Sequence, residues 1–409
     1  MTAIDPGTSP ARAFPIRRCP FGPPPEYAQM RDESPLVRIR LPNGHPVWLV
    51  TRHAEAQAIL ADPRISTDVT RAGFTTFGSD PDDATMTDTE MHAGMFIDMD
   101  PPEHDVYRRM LISEFSVKRV RAMRPGIEAT AHELIDAMLA AGRPADLVAD
   151  FGLALPSLVI CQLLGVPYED REHFQHYSRR MVDFFTDPGA AAAAMVEIRG
   201  YLDGLVARVE RDPGDDLLGR LVTQRVATGE LRHEELVGMA FLLLVAGHET
   251  TANMLPLSVL TLLRHPDQLA ESRADPELWP GAVEELLRYL SITDWAAFDR
   301  MAVADIEIGG RTIRAGDGVY VSGLAADHDE RAFPGAGTLD IHRGARNHVA
   351  FGYGVHQCLG QNLARAELEI ALRALFERVP GIRAAVPDEE LAFKYGAPIF
   401  GLATFPVTW

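Results

Sequence analysis

The stretch Phe351-Gly352-Tyr353-Gly354-Val355-His356-Gln357-Cys358-Leu359-Gly360 sets one cysteine between glycine-spaced turns and the start of an apolar-periodic helix. Free N–H groups and the positive dipole end at a helix N-terminus favour a thiolate over a thiol. Glycines at 352, 354 and 360 remove side chains and let the backbone approach something flat. Taken by itself, Cys358 also fits a plainer role as a small buried hydrophobe, the commoner fate of a free cysteine. A second chemical insert, Ala246-Gly247-His248-Glu249-Thr250, lies inside the apolar run VGMAFLLLVAGHETTANMLPLSVLTLL. Glycine costs about 1 kcal/mol relative to alanine in a helix interior, and a buried carboxylate needs a partner or a shifted pKa. A helix carries such an insert where it passes a solvent-filled crevice or where the groups do chemistry.

Two sets are weaker taken singly. Asp100-Pro101-Pro102-Glu103-His104-Asp105-Val106-Tyr107-Arg108 puts His104 and Arg108 at i and i+4, on one helix face. Glu285 and Arg288 form an i, i+3 pair of the kind worth about 0.2–0.5 kcal/mol on a solvated face. Arg300 and His356 each read alone as surface cations.

Together these sets resemble the cytochrome P450 family. Phe351 to Gly360 matches its haem-loop pattern F-x-x-G-x-[HR]-x-C-x-G, and Ala246 to Thr250 matches its oxygen-activation pattern [AG]-G-x-[DE]-T. Glu285 and Arg288 match the E-x-x-R pair, and Asp100 to Arg108 matches D-P-P-E-H-x-x-x-R. The likeness spans essentially the whole chain and is nearest to soluble bacterial enzymes, in particular an actinobacterial subgroup with AGHETT and EELLRYL signatures. It implies a mainly α fold with small β-sheets and a long central helix over haem b. It further implies Cys358 as the iron's thiolate ligand, in a loop shaped by Phe351, Gly352 and Gly360. Ala246 would stand over the haem, Gly247 would belong to the same catalytic turn, Glu249 and Thr250 would relay protons, and His104, Arg108, Arg300 and His356 would bind the propionates. Glu285–Arg288 would support the fold. Candidate substrate contacts are Met86, Met91, Leu244, Val245, Trp295, Ala296 and Phe298. The sequence departs from the family around ADHDERAFPGAGTLDIHR, where Asp327 and Thr338 stand in place of the usual Asn and Arg and leave the third partner of the Glu285–Arg288 pair open.

The elements that must position these groups are legible in outline. PLVRIRLPNGHPVWLVTRH is two β-rich runs about Pro42-Asn43-Gly44, a strong hairpin signal. DIEIGGRTIRAGDGVYVS reads as short strands broken at Gly309-Gly310 and Gly316-Asp317-Gly318, with Arg300 expected ahead of a strand over Met301 to Ile308. GIEATAHELIDAMLAAG, AAAAAMVEIRGYLDGLVARVE and AVEELLRYL carry apolar residues at helical spacing. Pro256 should bend the helix that holds the acid–threonine insert. Residues 65–100 are loop-prone and acidic, a candidate lid, in which Met91, Met95 and Met99 fall at i, i+4 and i+8. That spacing fits a core-facing stripe, or alternatively an adaptable wall over a ligand. Residues 1–25 read as an extended arm with no leader or anchor, and 1–409 as one haem domain.

A chain of 409 residues with 46% hydrophobic and 24% charged residues can bury a large core. Its net charge of −19 argues against nonspecific binding to nucleic acid or anionic membrane. Three cysteines, Cys19, Cys161 and Cys358, do not make a disulfide framework and suit a reducing cytoplasm. The resemblance implies a monomeric monooxygenase fed by a small acidic ferredoxin and its reductase, with O2 and a hydrophobic small molecule as substrates. Arg108, Arg109, Lys118, Arg119, Arg121 and Arg124 form a local basic patch suited to that docking. A macrolide or polyene polyketide such as filipin is the expected substrate, with a sterol-like or xenobiotic molecule as the alternative. Two rivals, a peroxide-driven or reductive haem-thiolate enzyme and a non-catalytic haem carrier or sensor, are disfavoured by the intact Glu249–Thr250 pair and the lack of an output module.

Overall fold

The computed structural model describes residues 12–17, 19–75, 92–167, 170, 188–294, 299–395 and 397–409. The chain runs β1 (Arg12–Ala13), α1 (Pro25–Glu33), β2 (Leu36–Arg40), β3 (Pro46–Val50), α2 (His53–Ala61) and β4 (Ile65–Ser66). Next come α3 (Glu103–Leu111), α4 (Val117–Ala141), β5 (Ala145–Asp146), a π-helical turn (Val148–Gly152) and α5 (Ala154–Leu164). They are followed by α6 (Pro188–Arg211), α7 (Leu217–Leu221), α8 (His233–Leu263), α9 (Pro266–Ala274) and α10 (Trp279–Leu290). The last elements are β6 (Asp299–Ala302), β7 (Ile306–Ile308), β8 (Arg311–Ile313), β9 (Gly318–Val321), α11 (Gly323–Asp327), α12 (Gln361–Arg378), β10 (Arg383–Ala384) and β11 (Pro406–Thr408). The fold is mainly α with small sheets, and the chain divides into two compact units.

One unit comprises Met1–Asp88, Asp98–Asp100 and Glu285–Cys358. Its sheet has the strand order β1-β2-β3-β9-β6-β4. The β2–β3 hairpin closes where expected: Gly44 takes φ +88°, and its amide donates to the Leu41 carbonyl at 2.8 Å. Gly309 and Gly310, at φ +57° and +72°, turn β7 into β8. Leu36, Trp48, Val50 and Val319 of the sheet bury against Ile59 and Leu60 of α2. In the described part of the N-terminal segment, β1 pairs in parallel with β2, and α1 begins at Pro25.

The other unit comprises Thr89–Ile97, Pro101–Glu284 and Leu359–Trp409. Its axis is α8, 31 residues long and apolar on nearly every face. Glu235, on the first turn of α8, accepts from the Arg232 amide at 2.8 Å, and the Tyr107 hydroxyl of α3 donates to it at 3.0 Å. The turn at Ala93-Gly94 lies directly on this first stretch of helix. A Cβ at Gly94 would stand 2.0 Å from the Glu235 carbonyl oxygen, and one at Gly238 would stand 1.8 Å from that of Ala93. Further along, α8 continues through Pro256, whose ring meets Gly152 of the π-helical turn, where a Cβ would lie 2.4 Å from the proline Cγ. Helix α12 pairs with α4 through Arg124–Glu369 at 2.6 Å and Arg373–Glu128 at 3.0 Å. Among the described residues no helix is long and apolar enough to cross a membrane.

Candidate active site

The first unit ends on the cysteine loop. Cys358 is a half-buried cysteine outside any disulfide, and its amide donates to the Phe351 carbonyl at 2.8 Å. Gly352 and Gly354 hold φ of +69° and +75°, which other residues rarely adopt. At Gly354 a Cβ would also lie 2.4 Å from the Leu60 carbonyl oxygen of α2, so the loop is fastened to that helix. Gly360 caps α12, whose first amides have no intrahelical acceptor. His356 Nε2 is 3.2 Å from the Thr67 hydroxyl, which itself donates to the Met99 carbonyl at 3.1 Å. Arg300 lies inside β6 rather than ahead of a strand, because the expected single strand over Met301 to Ile308 is broken into β6 and β7. It is buried and donates to the Asp299 carbonyl at 2.7 Å; burial lowers its pKa, opposed by the carboxylates of Asp299, Asp100 and Asp98. Asp100 is itself held by the Ser66 hydroxyl at 2.6 Å, the Thr67 amide at 2.9 Å and Arg71 at 3.1 Å.

The second unit holds His104, Arg108 and the insert on α8. His104 of α3 is fully buried, with Nδ1 2.9 Å from Asp105 and its ring 6.1 Å from Phe96; Arg108 follows one turn later, half-buried. Along α8, burial is interrupted at the insert. Leu236 to Leu244 and Thr251 to Leu262 are buried, while Val245, Gly247, Glu249 and Thr250 are half-buried and Ala246 is exposed. Gly247 lets α5 come close: a Cβ there would be 3.1 Å from Ile160 Cδ1. The Thr250 hydroxyl donates to the Ala246 carbonyl at 2.8 Å. Burial pulls the His248 pKa down to about 4, despite a hydrogen bond with the Leu153 backbone, so this ring is neutral near pH 7. Burial also raises the Glu249 pKa, and Lys394 opposes it. Asn253 donates to the Glu249 carbonyl at 2.8 Å and accepts from Lys394 Nζ at 3.0 Å.

Glu285 and Arg288 of α10 are both fully buried and paired at 2.7 and 2.8 Å. Arg288 also donates to the carbonyls of Asp327, Ala336 and Thr338. The open third position is filled by Arg343, whose Nε donates to Glu285 at 3.1 Å. Asp327 instead accepts from Ser291 at 2.7 Å and from the Val349 amide at 2.8 Å.

Several expected contacts lie outside the described residues: Met86, Met91, Trp295, Ala296 and Phe298. The methionine spacing does not mark an α-helix in the described part. Met95 and Met99 flank a 3₁₀ turn at Phe96–Asp98 and are half-buried. In the basic patch, Arg124 is tied to Glu369, and Arg119 lies 3.7 Å from Glu114. Sequence reasoning missed Lys394, Asn253 and Arg343; no local pattern links Lys394 to an asparagine 141 positions away.

The profile of the cytochrome P450 family matches residues 41–275 and 270–379. Cytochrome P450 105A3 of Streptomyces carbophilus is 52% identical over 98% of this chain and 96% of its own. The vitamin D3 dihydroxylase of Streptomyces griseolus is 51% identical over 100% of this chain and 99% of its own. The crystal structure of mycinamicin VIII C21 methyl hydroxylase from Micromonospora griseorubida, bound to mycinamicin VIII, is similar at TM-score 0.89 and 46% identity, covering 97% of this chain and 100% of that one. The chain belongs to the cytochrome P450 family. It is a haem b oxidoreductase of the monooxygenase type, using O2, redox partners and a small-molecule substrate. The residues fit that cofactor. Cys358 offers a thiol on a loop whose glycines keep side chains away, Arg300 is a buried cation, and Ala246 opens a small-residue face on a helix buried on either side.

Proposed function

We propose that this P450 hydroxylates a large apolar natural product, a macrolide or polyene polyketide of which filipin is an example, late in antibiotic biosynthesis. Near-full-length similarity to a hydroxylase solved with a macrolide supports that reading. A sterol-like substrate is the second reading, favoured by 51% identity to a vitamin D3 dihydroxylase. Leu244 and Val245, with Met86, Met91, Trp295, Ala296 and Phe298, would contact the substrate.

In this reading residues 1–409 act as one haem domain, monomeric and cytoplasmic, with electrons delivered by a ferredoxin and its reductase. Cys358 would hold the haem iron through its thiolate, in the loop formed by Phe351, Gly352 and Gly360, and His104, Arg108, Arg300 and His356 would neutralise the propionates. The haem supplies activation of O2, and thiolate ligation favours O–O cleavage. Glu249 holds and releases protons toward the site while the Thr250 hydroxyl passes them on, with Ala246 and Gly247 leaving room at that turn. His248, held neutral by burial, takes no part.

The test is a titration of the purified ferric protein with polyene macrolides, smaller macrolides and sterols, followed at the Soret band. A high-spin shift at low micromolar concentration with a macrolide is expected. A shift with sterols alone would move the assignment to the second reading.

A further inference from the structure

The carboxyl of Glu249 sits on a half-buried turn with no ion pair at bonding distance among the described residues, yet one cation is built in beside it. Lys394 lies in the C-terminal hairpin, where its amide donates to the Gly401 carbonyl at 2.9 Å and Phe393 is bridged to Leu402. Phe393 and Phe400 stack at 5.9 Å and stiffen that hairpin. Gly401 brings it onto α8, since a Cβ there would stand 1.8 Å from Asn253 Oδ1. The same Oδ1 accepts from Lys394 Nζ at 3.0 Å, and Asn253 in turn donates to the Glu249 carbonyl at 2.8 Å. Asn253 is one turn beyond Glu249, on the same helix face. The ammonium is thus fixed at the turn that carries the acid.

We propose that Lys394 is the counter-cation of Glu249, a positioning residue that sets the charge of this carboxyl without itself transferring a proton. The inference rests on the reading of Glu249 as the proton-delivering acid. A group that delivers protons must both hold and release one near the working pH. Burial alone drives a carboxyl to stay protonated, and a nearby cation restores release. Lys394 acts on Glu249 in that sense, and among the described residues no other charge acts on it. Of the elements packed on α8, α5 presents Ile160 at Gly247, the π-helical turn presents Gly152 at Pro256, and His248 is turned to the Leu153 backbone; α12 carries the buried Glu367, which does not act on Glu249.

The test uses the full-length holoenzyme with Lys394→Gln, Lys394→Arg, Glu249→Gln and the Lys394→Gln/Glu249→Gln double variant. Infrared difference spectra of the ferric protein between pH 5 and pH 9 report carboxyl titration, and the band lost in Glu249→Gln identifies its carboxyl. Lys394→Gln should raise that midpoint by about one to two pH units, Lys394→Arg should restore it, and the double variant should show no such band. If Lys394→Gln misfolds, Lys394→Arg and the wild-type protein titrated against ionic strength carry the test, because a shielded pair shifts little with salt while a solvent-exposed cation loses its effect. An unchanged midpoint in Lys394→Gln, or the absence of any Glu249 titration in this range, overturns the proposal. The functional reading fails separately, if Glu249→Gln leaves the pH profile of product formed per electron consumed unaltered while the infrared midpoint still responds to Lys394.

Discussion

On α10, Glu285 accepts from Arg288 at 2.7 and 2.8 Å, from Arg343 at 3.1 Å and from the Asp340 amide at 3.0 Å. On α8, Glu249 has burial raising its pKa and, among the described residues, one cation, Lys394, acting against it through space. Both are helix-borne carboxylates withdrawn from water, but their charges are treated in opposite ways. A carboxylate held by two guanidiniums and an amide belongs to a fixed network, in which Arg288 also ties down the carbonyls of Asp327, Ala336 and Thr338. A carboxylate left under-compensated can change its protonation at small cost, as an acid that exchanges protons requires. The difference separates a charge that holds structure from one available for chemistry, although sequence spacing alone presents both simply as acids on helices.

Removing charge from each position sharpens the contrast. Arg288→Met leaves Glu285 buried without its main partner and should destabilise its unit by about 3–5 kcal/mol, read as a large drop in Tm or loss of folded protein. A small loss would mean that Arg343 carries the pair. Glu367 of α12 is an intermediate case: it is buried, its Oε2 has no hydrogen-bond partner among the described residues, and burial pushes its pKa up to about 8. Because its folded pKa is raised, the stability it contributes is fully present below the unfolded carboxylate range and is lost as pH rises through about 8. Glu367→Gln should therefore flatten the fall of Tm between pH 5 and pH 8, a difference of about 2–4 kcal/mol across that window. Identical pH slopes in the two proteins would place the wild-type carboxyl in an ordinary environment. The smallest effect is expected at Glu249. Glu249→Gln removes a poorly compensated charge and should alter stability by less than about 1 kcal/mol, with Tm unchanged or slightly higher. A loss comparable to that of Arg288→Met would make Glu249 a structural residue and erase the comparison.

How far the sequence carried is visible in the same residues. The Asn43-Gly44 hairpin, the Gly309-Gly310 turn, the helices and the cysteine loop follow from neighbours a few positions apart, where φ preference and periodicity act directly. The Met91–Met95–Met99 spacing imitates helical periodicity, but only a 3₁₀ turn forms between the last two. Alternation does not show where a strand begins, and Arg300, expected ahead of a strand, lies inside β6. Arg343 meets Glu285 across 58 positions and Lys394 meets Asn253 across 141, contacts created by loop and hairpin packing that no local pattern encodes. The close backbone approaches at Gly94 and Gly238 belong to the same class, since a glycine reveals that space is needed but not what occupies it.

The most direct measurement compares wild-type and Glu249→Gln enzyme in H2O and D2O under NADPH, ferredoxin and ferredoxin reductase, with the substrate that gives the largest Soret shift. The account predicts that the variant stays folded and haem-loaded, loses about a hundredfold in product formation, diverts electrons to peroxide and shows an enlarged solvent isotope effect. Equal product formation and an equal isotope effect in the two proteins would contradict it, and Glu249 would then be a bystander to proton delivery.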